Sequence, residues 1–175
     1  NKSRRNPYDR AEGGEPVKDA ACVIILLAGA VSGACEPGSQ PVGPVDQLTM
    51  FVSNTPVFLD AAPGPDGVRV NALYFFQASR PEPVQVSGAL ELLLFDGVVT
   101  LSTAQNQPPL HTWRFGGTEL PAYLAKDRLG WRYRFVLPWG DTVPRGDKVT
   151  VVARYQPSGG IYVWSAPVTV LIKNP

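Results

Sequence analysis

Two hydrophobic patterns divide this chain. Residues 21–34 read ACVIILLAGAVSGA, an apolar stretch that no charge interrupts. From residue 47 to 173 the apolar positions recur every second residue instead. They fall in short runs rich in β-branched and aromatic side chains: LTMFVS (48–53), TPVFLD (55–60), DGVRVNALYFFQAS (66–79), VQVSGALELLLFDG (84–97), VVTLST (98–103), HTWRF (111–115), WRYRFVLPW (131–139), KVTVVARYQP (148–157) and GIYVWSAPVTVLIK (160–173). A period of two marks strands with one wet and one buried face, the antiparallel habit. Trp131, Tyr133, Phe135 and Leu137 share one face, with Arg132 and Arg134 opposite. Val68, Val70, Ala72 and Tyr74 alternate with Arg69, Asn71 and Leu73. Asp96–Gly97 is a hairpin dipeptide that would pair 98–103 back onto the preceding run. Gly88 marks a bulge or bend.

Such runs, spaced about ten residues apart, predict an all-β antiparallel β-sandwich, immunoglobulin-like in general architecture, with eight or nine strands. One short helix is expected over 118–126. Thr118 is its cap, Glu119 an early acid and Lys126 a late base, and Pro121 lies in the first turn, where it is tolerated. Leu120, Tyr123 and Leu124 share its apolar face.

Composition narrows the picture. The chain has 175 residues, suited to one domain. Its 16 Lys+Arg against 15 Asp+Glu lack the basic excess of a nucleic-acid binder. Eighteen Pro and 17 Gly disfavour long helices. One His and two Cys leave little for metal or nucleophile chemistry.

The 21–34 stretch is too short to span a bilayer, which needs about 20 apolar residues. It has the length of a signal-peptide apolar core, roughly 7–15 residues. Residues 1–34 are therefore read as a leader. Residues 1–20 mix bases with acids, and Val17 is read as an alternative initiator that leaves Lys18 ahead of the apolar run. Ser32, Gly33 and Ala34 are small enough for a signal peptidase, and Cys35 follows directly. This arrangement resembles a bacterial lipobox, with Ser32 where an aliphatic residue is usual. The resemblance implies cleavage before Cys35 and a lipid on its thiol. Cys22 would leave with the leader. Residues 35–46 then form the anchor and a Pro/Gly-rich linker, semi-stiff at roughly 3 Å per residue, and 47–173 the sandwich domain.

The motifs LGWRYRFVLPW (129–139), ARY (153–155) and SAP (165–167), together with HTWRF and the 118–126 segment, resemble a group of uncharacterised bacterial lipoproteins with a single β-sandwich domain. The likeness spans roughly 66–172. It implies a cell-envelope location and a sandwich, and no reaction.

Each candidate site has a plainer counterpart. Tryptophans can stack on sugars, but aromatic rings also dominate sandwich cores. Trp113 and Trp131 fall on inner faces and are read as core. Trp139 and Trp164, near a strand end and a loop, are candidate ligand contacts. Arg132, Arg134, Arg114 and Arg154 would line one outer surface able to meet phosphate or acidic glycan, unless they pair across strands with Glu91 or Glu82. Asp60, Asp66, Asp96, Asp127 and Asp141 fall in turns. Calcium is one reading, and bonding of their own backbone the other. His111 alternates with Trp113 and Phe115 and reads as structural. Ser102 and Thr103 lie near it in sequence, without a nucleophile elbow. No metal or cofactor motif is present.

The sequence thus points to an exported protein, lipid-anchored through Cys35. Its expected role is a non-catalytic binding or interaction module for an envelope protein or glycan. The alternatives are a purely structural envelope component and a small hydrolase using His111.

Overall fold

The computed structural model describes residues 44–59, 61 and 64–172. The leader, Cys22, Cys35, Asp60 and most of the linker lie outside the described residues. In chain order the strands are β1 (Gln47–Val52), β2 (Gly67–Phe76), β3 (Ala89–Asp96), β4 (His111–Phe115), β5 (Leu124–Lys126), β6 (Trp131–Pro138), β7 (Lys148–Gln156), β8 (Val163–Trp164) and β9 (Val168–Leu171). They form two antiparallel sheets. The first has four strands in the order β1-β2-β6-β5, and the second has five, β4-β3-β7-β8 with β9 also on β7. This is the expected all-β sandwich.

The core lies between the inner faces. Leu48, Met50, Val68, Val70, Leu73, Phe75, Tyr133, Phe135 and Leu137 face it from the first sheet. Leu90, Leu92, Leu94, Val149, Val151, Ala153 and Tyr155 face it from the second. On one flank Phe115 packs on Phe135, with ring centres 4.6 Å apart, and the Trp113 indole donates to the Pro138 carbonyl at 2.9 Å. On the other flank Leu48 bridges Ser165 in parallel. Val45 is buried, and Asp46 bonds Phe76 and Ala78, so the packed body takes in the last residues of the expected linker.

The simple alternation expected along β2 fails at one point. Val70 pairs with Phe135 and Leu73 with Tyr133, so β2 spends one residue more than β6. The slip recurs against β1, where Phe51 opposes Ala72 and Val52 opposes Val70. A bulge at Asn71–Ala72 exchanges faces. Leu73 and Phe75 turn inward, while Ala72 and Tyr74 move to the outer face.

Residues 98–103 do not form the expected hairpin strand. Both edges of β3 are taken, by β4 and β7. The second sheet also has an apolar outer patch of Leu93, Phe95 and Val152, which must be covered. Helix α1 (Leu101–Asn106) covers it with Ala104 and Leu101, joined by Val99 and Trp164. Thr100 caps the helix by accepting the Thr103 amide at 3.3 Å.

The helix expected over 118–126 shrinks to a 3-10 turn, Leu120–Tyr123, followed at once by β5. Pro121 sits in the turn, and the chain then joins β6, with Leu124 opposite Tyr133. Leu120, fully buried, pins the turn to the core. In 55–59 only Val57 bridges, to Gly67. The 160–173 run breaks into β8 and β9 at Ser165–Pro167. Residues 84–88 lie before β3 as a crossover, with Gly88 at its bend.

Candidate functional site

The sequence-derived candidates disperse over the fold. Trp139 is the clearest correction. It is only 2% exposed and belongs to the core, so it offers no ligand surface. Its place after Pro138 suggested a strand end in solvent. The inward parity of Tyr133, Phe135 and Leu137 in fact continues to it, and its amide donates to the Asp66 carbonyl at 3.0 Å. Trp131, expected in the core, is only half-buried at the strand start, with the Lys126 ammonium 5.2 Å from its ring centre.

The four arginines do not share a surface. Arg132 and Arg134 lie on β6 of the first sheet, and Arg114 and Arg154 on β4 and β7 of the second. Arg114 and Arg154 sit either side of Glu91 on β3. The Arg114 Nε donates to Glu91 at 2.9 Å, and Arg154 donates to its other oxygen. Burial raises the Glu91 pKa, but the hydrogen bonds from Arg154 and Arg114 prevail and hold it below the usual range. The Arg154 guanidinium also lies over Tyr162 at 4.9 Å and Trp164 at 5.4 Å. Trp164 is half-buried, one side on the outer apolar patch and the other on Arg154. This candidate contact is held in a cluster of internal pairs.

Arg132 is likewise engaged. Its Nη1 lies 3.3 Å from Asp127, whose carboxylate also accepts the Tyr74 hydroxyl at 2.7 Å and the Leu129 and Gly130 amides. The Tyr74 hydrogen bond heads the causes that lower the Asp127 pKa. Arg132 Nε is buried without a partner among the described residues. The group ties the β5–β6 turn to β2. Asp66 and Asp96 also accept backbone amides, the turn chemistry expected of them. His111 stacks beside Trp113, with ring centres 4.6 Å apart, while Ser102 and Thr103 sit on α1 with their hydroxyls on Thr100.

Among the described residues a concavity lies on the first sheet. β5 pairs with β6 only over Trp131–Tyr133, because the 3-10 turn then carries the chain away. Beyond Tyr133 this side of β6 borders a cleft of about 500 Å³. Arg134 and Val136 of β6 line it, with Arg69 of β2 and Tyr123, Leu124 and Ala125 opposite. Arg69 pairs in register with Val136, which places Arg69 and Arg134 on neighbouring strands. Both arginines are exposed, and Val136 is 47% exposed.

Among the described residues neither Arg69 nor Arg134 has an ion-pair partner, in contrast to Arg114, Arg132 and Arg154. The cleft thus combines two unneutralised planar cations with an apolar flank. Of the sequence candidates, Arg134 belongs to it. Arg69 was missed, because a period-two pattern assigns faces and not neighbouring strands. Comparison with protein-family models, with curated proteins and with solved structures finds no match.

Proposed function

We propose that this chain is an exported, envelope-attached, non-catalytic binding module, and that the cleft beside β6 is its binding site. The observation that carries the reading is the pair Arg69 and Arg134. Among the described residues the other strand arginines, Arg114, Arg132 and Arg154, are each matched to a carboxylate, and these two, without one, line a concave surface. Unmatched guanidiniums in a cleft are groups disposed to meet a partner. Export and anchoring rest on the 21–34 apolar stretch and Cys35.

Two measurements test this reading in cells. The intact mass of the N-terminal peptide from purified membranes should begin at Cys35 and carry acyl groups. A photo-reactive residue at Val136 should cross-link to a ligand or partner, and one at exposed Leu171 should not. Retention of residues 21–34 without acylation would refute the anchoring. Equal labelling from both positions would refute the site. Stoichiometric recovery with an envelope complex, unaffected by changes at Arg69 and Arg134, would assign a structural role instead.

A further inference from the structure

We infer that the cleft recognises an organic phosphate ester. This rests on reading the cleft as the binding site and specifies what occupies it. The charge count comes first. Arg69 and Arg134 bring two permanent positive charges to adjacent strands, and no carboxylate pairs with either among the described residues. A phosphate monoester carries about −1.5 to −2 near neutral pH, which matches two guanidiniums. A carboxylate carries only one charge and would neutralise half of the pair.

The placement of the two arginines accommodates such a ligand. The arginines rise from different strands and different rows, Arg69 opposite Val136 and Arg134 two residues before it. Both line the same cleft. A phosphate offers three strong acceptor oxygens, enough for both guanidiniums at once. The remaining wall selects an ester over bare phosphate. Val136 and Leu124 line the cleft with apolar surface, and Tyr123 adds an aromatic ring. An organic group attached to the phosphate would cover this surface, which inorganic phosphate would leave wet.

A soluble sugar phosphate and a membrane phospholipid headgroup share this chemistry, so the test separates them. Full-length protein in detergent is titrated calorimetrically with glucose 6-phosphate and with glucuronate. It is also tested for capture by phosphatidylcholine vesicles with and without phosphatidic acid. Wild type should bind a phosphate-bearing probe and not glucuronate, and binding should weaken as salt screens the exposed arginines. Arg69→Gln and Arg134→Gln should each weaken binding at least about tenfold, the worth of one charge-assisted contact. Arg114→Gln, a comparably exposed arginine on the other sheet, should leave it unchanged.

Binding of glucose 6-phosphate assigns a soluble ester, and capture only by phosphatidic acid vesicles assigns a lipid headgroup. Glucuronate binding as tight as phosphate, lost in the same variants, would overturn the phosphate assignment while keeping the cleft. Phosphate binding that Arg69→Gln and Arg134→Gln leave intact would overturn the inference. So would absence of phosphate binding, and the cross-linking from Val136 would then decide separately whether the cleft binds something else.

Discussion

The Tyr133 hydroxyl oxygen accepts the amide of Val86 at 2.9 Å, though 47 positions separate the two in sequence. Its counterpart Tyr155, on the opposite sheet, accepts the Gly88 amide at 3.1 Å. The Phe75 ring stands edge-on to both, with centres 5.3 Å from Tyr133 and 5.0 Å from Tyr155. The 84–88 crossover belongs to neither sheet, so its buried amides at Val86 and Gly88 need acceptors from elsewhere. One phenol from each sheet supplies them and fixes the crossover to both layers.

Tyr133→Phe should therefore cost about 1–3 kcal/mol, because the Val86 amide stays buried without its acceptor. Urea unfolding measures this, and Tyr155→Phe should behave alike. Burial raises both phenol pKa values, overcoming the backbone hydrogen bonds that lower them. The fold holds both groups neutral. Their contribution is then complete below the ordinary phenol range near about 10 and lost as pH climbs from there through the raised folded values. The double Phe variant should flatten that alkaline limb. Variants as stable as wild type would show that the phenols are not needed as acceptors.

Gly88→Ala should destabilise far more than Gly116→Ala. A Cβ on Gly88 would stand 2.2 Å from the Gln156 carbonyl oxygen and 2.7 Å from the Tyr155 hydroxyl oxygen. On Gly116 its nearest neighbour is Glu119 Oε2 at 3.6 Å. Overpacking against rigid backbone costs typically about 1–3 kcal/mol. Thermal unfolding of the two single variants makes the comparison, and equal melting temperatures would contradict it.

Trp139→Ala should act through the core. A fully buried aromatic replaced by Ala costs roughly 3–5 kcal/mol. Trp164→Ala removes a half-buried ring and a cation–π partner of Arg154, and about 1–2 kcal/mol is expected from that partial burial and exposed contact. Chemical denaturation should rank the two in that order. The reverse order would mean that Trp164, not Trp139, anchors the fold.

Glu91 gives the fold an acid-sensitive element. Its pKa is held down by Arg154 and Arg114 against the opposing effect of burial. The stabilisation is present above the ordinary carboxylate range and fades as pH falls through the lowered folded value. Glu91→Gln should be less stable at neutral pH and show a shallower decline in acid. Parallel pH–stability curves for variant and wild type would show that the bridge contributes nothing.

Much of the sandwich was legible in the sequence. A strand with one buried face must alternate, so WRYRFVLPW and KVTVVARYQ declared themselves as strands and HTWRF as their aromatic neighbour. The inward faces of Tyr133, Phe135 and Leu137 followed from spacing alone. Trp139 obeyed the same spacing, and reading it as a surface residue gave more weight to a neighbouring proline than to parity. What the chain could not show was which strands meet. Residues 98–103 had strand-like composition, yet β3 was already paired on both edges, and the outer patch of Leu93 and Phe95 made a helix the better use of the segment. The bulge near Asn71 moved Tyr74 to the outer face, where it bonds Asp127, because two neighbouring strands imposed one register on β2. The cleft has the same origin. Arg69 and Arg134 lie far apart in the chain, and only the pairing of β2 with β6 and the early departure of β5 bring their charges to one concave surface. Local alternation determines the face of a strand, while its neighbours are chosen by the packing of the whole sandwich.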